Sequence, residues 1–168
     1  MRTSLHRQYP YDESCRAYSD DNTSRLHFLA SRSVRCCRGI YHYRQHSGST
    51  TYAVSVRRFD FLRANESMKQ QLTAAGASPD VMRQWETVRL LTLVDLYMFY
   101  HCHGHQLPLA DCRHGLQELH RVWGTLDRRL LDRRTSRKFG YSPMPCWPLF
   151  RLQEWLYFTL RGLTGKNH

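Results

Sequence analysis

The chain has 168 residues, 41% of them apolar, which fits one domain with a sizeable core and excludes disorder over most of its length. Lysine and arginine number 25 against 14 acids, giving a net charge of +11, and all but three of the bases are arginine. Such a surface attracts anions (nucleic acid, sulfated glycan, acidic lipid or an acidic receptor), and no stretch is long and apolar enough to span a bilayer.

Met1 to Pro10 carries Arg2 and Arg7 with no apolar segment behind them. No signal peptide is visible, as expected of a leaderless chain or of one given without its leader. Residues 1 to about 22 are polar and read as a flexible tail. It closes on a helix cap at Asp20-Asp21-Asn22-Thr23, whose side chains accept from free N–H groups. The bundle then occupies 23–168.

Leu26, Leu29, Ser33, Cys36, Ile40 and Tyr43 follow at helical spacing and predict a first helix over about 24–46. Arg35 and Arg38 lie among its other faces, and Gly39 weakens it. Ser47-Gly48-Ser49-Thr50 breaks the pattern, and Tyr52, Val54 and Val56 alternate like a short extended segment. Phe59 to Leu72 has room for a partial helix before the loop at Ala74-Ala75-Gly76-Ala77. A connection this long suits a crossover along a bundle.

Ser78-Pro79-Asp80 is a helix start: a capping Ser, Pro at the first position, an acid in the first turn. The second predicted helix spans about 79–103, with Val81, Trp85, Val88, Thr92, Leu96 and Phe99 on one face. After the break at Gly104 and Pro108 comes the cleanest stripe: Leu109, Cys112, Leu116, Leu119, Trp123, Leu126 and Leu130. It predicts a helix over about 109–134, antiparallel to the one before because the break is short. A closing helix is expected over about 148–164. Leu149, Leu152, Leu156, Leu160 and Leu163 form its apolar stripe, and Trp155 lies nearer the stripe edge.

The fold expectation is therefore all-α, a four-helix bundle. Two of its connections are long enough to run the bundle length, which permits the up-up-down-down order of long-chain cytokines. Simple up-down order with longer loops is also permitted.

Two stretches are similar to the ciliary neurotrophic factor and cardiotrophin-like branch of the interleukin-6 family. Phe139 and Trp155 stand at the spacing that branch shows between its Phe and Trp, around a Leu149-x-x-Leu152-Gln153-x-Trp155-Leu156 run that Trp147 precedes. Val34-Arg35-Cys36-Cys37-Arg38-Gly39-Ile40-Tyr41 resembles the family's Leu-Arg-Ser-Leu-x-Gly-x-Tyr stretch, less one residue. The resemblance implies a cytokine without a catalytic site. Such a chain assembles class I cytokine receptor ectodomains and triggers their associated kinases. The implied contacts are Phe139, Trp147 and Trp155, with Arg35 and Arg38 on the first helix. The family's Lys after the Phe falls on Ser142, and its Arg after the Trp falls on Phe158, with Arg161 a turn later as a substitute. An extracellular location follows from the same resemblance.

Other chemistry is weighed beside it. Cys102, His105, Cys112 and His114 would approach tetrahedral zinc spacing if the intervening turn folded back, but they match no regular finger. His near a helix end also suits the dipole, so the expectation is no metal and no cofactor. Six cysteines fit three disulfides or six thiols. Asn22-Thr23-Ser24 and Asn65-Glu66-Ser67 are glycosylation sequons that matter only after secretion. No nucleophile constellation or phosphate-cradling glycine loop is present, so an enzyme is not expected. Arg128-Arg129 and Arg133-Arg134 with Arg137-Lys138 suggest the alternative: a basic helical nuclear or viral accessory protein binding nucleic acid or a protein partner. Binding to heparin-like polyanions is expected under either reading.

Overall fold

The computed structural model describes residues 3–13, 18–36, 38–40, 42, 53–131 and 145–164. Among these residues the chain is all-helical, with no strand. The α-helices are α1 (Thr3–Gln8), α2 (Ser19–Leu29), α3 (Asp60–Ala74), α4 (Pro79–His103), α5 (Leu109–Gly124) and α6 (Trp147–Leu163). Short 3-10 turns at Val56–Phe59 and Gly104–Gln106 introduce α3 and α5.

α4 begins where Ser78, in extended backbone, accepts from the Val81 N–H at 3.4 Å ahead of Pro79. The four residues between α3 and α4 turn on Gly76, at φ +65°, and the Ala77 N–H closes back on the Leu72 carbonyl at 3.0 Å. That is the left-handed helix ending that glycine allows. Lys69 bridges to Glu86, Asn65 bonds Thr92 and Phe59 packs on Phe99, so α3 and α4 run antiparallel. α4 and α5 are also antiparallel: Arg89 reaches Thr125 near one end, and Cys112 lies against Gly104 at the other.

Two clusters of buried residues hold the helices. Phe59, Leu62, Leu93, Leu96, Phe99, Leu119, Val122, Phe150 and Phe158 join α3, α4, α5 and α6. Leu26, Met68, Leu72 and Trp85 join α2 to α3 and α4, and the Trp85 indole donates to the Asn65 carbonyl at 3.0 Å.

Several expectations are corrected. The first helix stops at Leu29 instead of running through 46. Among the described residues of its predicted stripe only Leu26 is buried, Leu29 and Ile40 are exposed, Tyr43 lies outside the described residues, and residues 31–36 and 38–40 are not helical. A stripe containing Ser33 and Cys36 offers too little apolar area, and the Ser31 hydroxyl donates to the His27 carbonyl at 2.6 Å where the helix ends. The resemblance placed Arg35 and Arg38 on a helix, and both instead sit exposed in this irregular segment.

The described part of the N-terminal segment is not a loose tail. His27 bonds the Tyr9 carbonyl, Thr23 the Pro10 carbonyl, and Asp12 accepts from Asn22, Ser67 and Gln71. The stretch read as a crossover holds a full helix, α3, packed on α4, while Tyr52 lies outside the described residues and Val56 opens a turn. α5 ends at Gly124, short of 134, because the buried Glu86–Arg89 pair captures the chain there. Arg89 donates to the Thr125 carbonyl and hydroxyl, and Glu86 accepts from the Asp127 N–H at 2.6 Å. The up-up-down-down order finds no support in these pairings. Asn22 sits against Ala64 and Leu26 packs with Met68 and Leu72, so α2 runs along α3 and opposite to α4.

Candidate functional site on the closing helix

α6 carries two apolar faces, and the structure buries the one that the leucine pattern does not mark. Successive helix residues turn by about 100°. Phe150, Glu154 and Phe158 therefore share one side, and all three are buried. Leu149, Leu152, Leu156, Leu160 and Leu163 share the opposite side, with exposures of 47, 53, 46, 62 and 80%. The predicted stripe thus faces outward. The aromatic face is bound instead because each ring buries more area and finds ring partners. Phe150 lies 5.9 Å from Tyr97 and 6.3 Å from Trp123, centroid to centroid. The Tyr97 hydroxyl donates to the Arg151 carbonyl at 3.3 Å, and His101 bonds Thr159 at 3.2 Å.

Beside the leucine face lies a hollow of about 610 Å³ between α4 and α6. Phe61, Val88, Leu91 and Met98 give it an apolar wall; Arg58, Arg161 and Asp95 supply its charges. Tyr157 and Arg161 also line a second hollow that reaches Leu160 and Thr164, so the groove is continuous with the leucine face. The groove's lining combines apolar side chains with two arginines and one aspartate.

Each predicted contact residue has its place. Trp155 is 50% exposed at the border of the leucine face. Arg161 lines the groove. Trp147 is half-buried and stacks on His120 at 4.8 Å and on Phe150 at 5.5 Å, so its ring is committed to the core. Phe139 and Ser142 lie outside the described residues, as do Arg133, Arg134, Arg137 and Lys138. Arg35 and Arg38 sit on the separate segment that follows α2. Sequence reasoning missed Arg58, Phe61, Leu91 and Met98, and it set Val88 on one face with Trp85, Leu96 and Phe99, which are buried, whereas Val88 is 38% exposed. In the run from Leu90 to Tyr100 the only polar residues are Thr92 and Asp95, and both line the groove, so they were the signal in the sequence of which side stays open.

The Cys112 thiol donates to the Gly104 carbonyl at 2.8 Å, and His105 and His114 are exposed. Burial pushes the Cys102 thiol upward, against the opposing, lowering influence of Arg161. Among the described residues no group of three or more His, Cys, Asp or Glu is placed to hold a metal ion. Cys36, Cys102, Cys112 and Cys146 are unpaired thiols.

Among the described residues no helix is long and apolar enough to cross a membrane. Compared with models of known protein families, with curated proteins and with solved structures, the chain matches none.

Proposed function

We propose that this chain is a non-catalytic binding protein that engages a protein partner through the outer face of α6. One observation carries the reading: five leucines and Trp155 stand exposed along one helix whose opposite side already forms the core. A contiguous apolar patch of this kind, rimmed by polar groups, marks an interaction site. Exposed aromatics at such a rim are common anchors. The adjoining groove has Arg58, Arg161 and Asp95 among its lining residues, so the complementary partner presents mainly apolar side chains with acidic ones beside them. A second copy of this chain is disfavoured, since each copy carries +11.

The resemblance of the closing helix to the interleukin-6 family gives this reading its specific form, a cytokine that binds class I receptor ectodomains. Trp155 and Arg161 are its contact residues on α6, with Phe139 and Ser142 before the helix. The test is a panel of those ectodomains, presented to the chain and to Leu152→Ser/Leu156→Ser. Binding by at least one ectodomain, lost in the variant, is expected. A second reading, the basic helical protein acting on nucleic acid or a nuclear partner, is favoured by the burial of both sequon asparagines. Tight, salt-sensitive binding to nucleic acid with no ectodomain bound would select it.

A further inference from the structure

Both sequons lie inside helices, Asn22-Thr23-Ser24 in α2 and Asn65-Glu66-Ser67 in α3. Asn22 is 0% and Asn65 3% exposed. The atom a glycan would occupy is the side-chain nitrogen, and in both residues it is already committed. Asn22 Nδ2 donates to the Ala64 carbonyl at 2.8 Å and to Asp12 at 3.4 Å, while its Oδ1 accepts from Arg25 at 3.3 Å. Asn65 Nδ2 donates to the Thr92 hydroxyl at 2.9 Å. The two asparagines are the polar locks of this end of the molecule. Asn22 ties α2 to α3, Asn65 ties α3 to α4, and the Asn65 carbonyl holds the Trp85 indole.

Glycosylation joins Asn Nδ2 to the sugar C1 of a lipid-linked donor. The sugar–phosphate bond breaks with its electron pair leaving on the lipid diphosphate, and one Nδ2 proton is lost to the transferase. The product is a bulky, hydrated group that belongs on a surface. At Asn22 it would remove a donor from a buried carbonyl and force α2 off α3. At Asn65 it would have to pass between α3 and α4. Either way buried polar groups are left unmatched and packed helices must separate.

We infer that the native fold and a glycan at Asn22 or Asn65 exclude each other. The folded chain is not an acceptor at either sequon, and a chain modified before folding cannot close α2–α3–α4. The sequons thus act as a filter on where the chain can mature. It reaches its fold only where transfer does not precede the docking of these helices. This inference stands apart from the partner reading, because α6 contributes nothing to either asparagine.

The experiment expresses the full chain behind a cleavable secretion leader in mammalian cells, beside Ser24→Ala/Ser67→Ala. That variant deletes both sequons and keeps both asparagines; Ser24 is exposed, whereas Ser67 loses its bond to Asp12. Bacterially made samples of both chains give the reference melting curves and show whether the variant folds. Wild-type chains made with an inhibitor of lipid-linked donor synthesis provide a second glycan-free sample with no substitution. Glycan-bearing molecules, identified by a glycosidase-sensitive shift in mobility, should be protease-sensitive and lack the cooperative melting of the reference. Glycan-free molecules from any of the three sources should resist protease and melt like their bacterial counterparts. A folded wild-type population with no glycan supports the same exclusion. A molecule with a glycan at Asn22 or Asn65 that melts like the bacterial chain would overturn it. Ectodomain binding measured on the glycan-free chain reports on the α6 reading separately.

Discussion

Glu86 and Arg89 are each 1% exposed, a charge pair buried where the sequence pattern expects the solvated side of the helix. Arg89 donates to both carboxylate oxygens at 2.8 and 3.0 Å, and Lys69 adds a third cationic contact at 3.0 Å. The pair also holds the end of α5 through Thr125 and Asp127, and Arg89 Nε is left without a hydrogen bond. Removing Arg89 takes away two close side-chain contacts of a buried carboxylate and leaves it only Lys69 and the Asp127 N–H. Arg89→Ala should therefore cost about 3–5 kcal/mol, read as a fall in the urea midpoint. Glu118 shows a milder version with a pH signature. Burial alone would raise its carboxyl, but hydrogen bonds from Arg121 and Arg63 and their charges outweigh that and hold it below the usual carboxylate range. A carboxyl depressed on folding contributes stability above its unfolded pKa and loses it as pH falls through its folded value. Acid titration of stability should show this loss, and Glu118→Gln should flatten that part of the curve. An unchanged acid limb in Glu118→Gln would remove the assignment. Neither charge cluster was legible in the sequence, since a Glu or Arg inside an amphipathic pattern reads as its solvated side.

At the level of elements, two glycines in α5 look alike in sequence and differ in the structure. A Cβ on Gly115 would overlap the ring of Phe59, which is 1% exposed beneath it. A Cβ on Gly124 would meet nothing within 4 Å. Gly115→Ala should destabilise by about 1–3 kcal/mol through overpacking, although alanine is the better helix former. Gly124→Ala should be neutral or stabilise by up to about 1 kcal/mol. Thermal melts of the two variants should move in opposite directions or differ clearly in size. The starts of α4 and α5 were legible because Ser78-Pro79-Asp80 and the Gly104–Pro108 break act through local backbone chemistry. The length of α2 was not, because spacing counts positions and ignores how little area Ser33 and Cys36 can bury. On α6 the spacing found a real apolar stripe and left open whether it is core or a binding face. Periodicity says that residues share a face; whether that face points inward depends on what neighbouring helices offer, here the rings of Tyr97 and Trp123. Phe150→Ala should accordingly cost about 3–5 kcal/mol. Leu156→Ser, on the opposite side, should stay within about 0.5 kcal/mol of the parent in the same denaturation assay.

For the whole molecule, the charge of +11 is less uniform than composition suggests. Arg89 is buried, Arg121 is shared between Glu66 and Glu118, and Arg25, Arg58 and Arg128 stack over Trp85, Phe99 and Trp123 at 5.2, 4.8 and 4.5 Å. Part of the arginine excess therefore serves packing, a use lysine fills poorly. Exposed Arg32, Arg35 and Arg38 after α2, with Arg129 beyond α5, remain available to polyanions. The apolar face of α6 and this basic surface are separate features and should be separable by substitution. Leu152→Ser/Leu156→Ser leaves the charge unchanged, so retention on immobilised heparin should match the parent, with elution above physiological salt, while protein-partner binding falls. Arg32→Ser/Arg35→Ser/Arg38→Ser should do the reverse, shifting heparin elution to lower salt while partner binding at high ionic strength is kept, because screening removes the long-range charge and spares apolar contact. If the leucine pair weakened heparin retention as much as the arginine triple, the two surfaces would be one. The groove lined by Arg58 and Arg161 would then be the polyanion site itself.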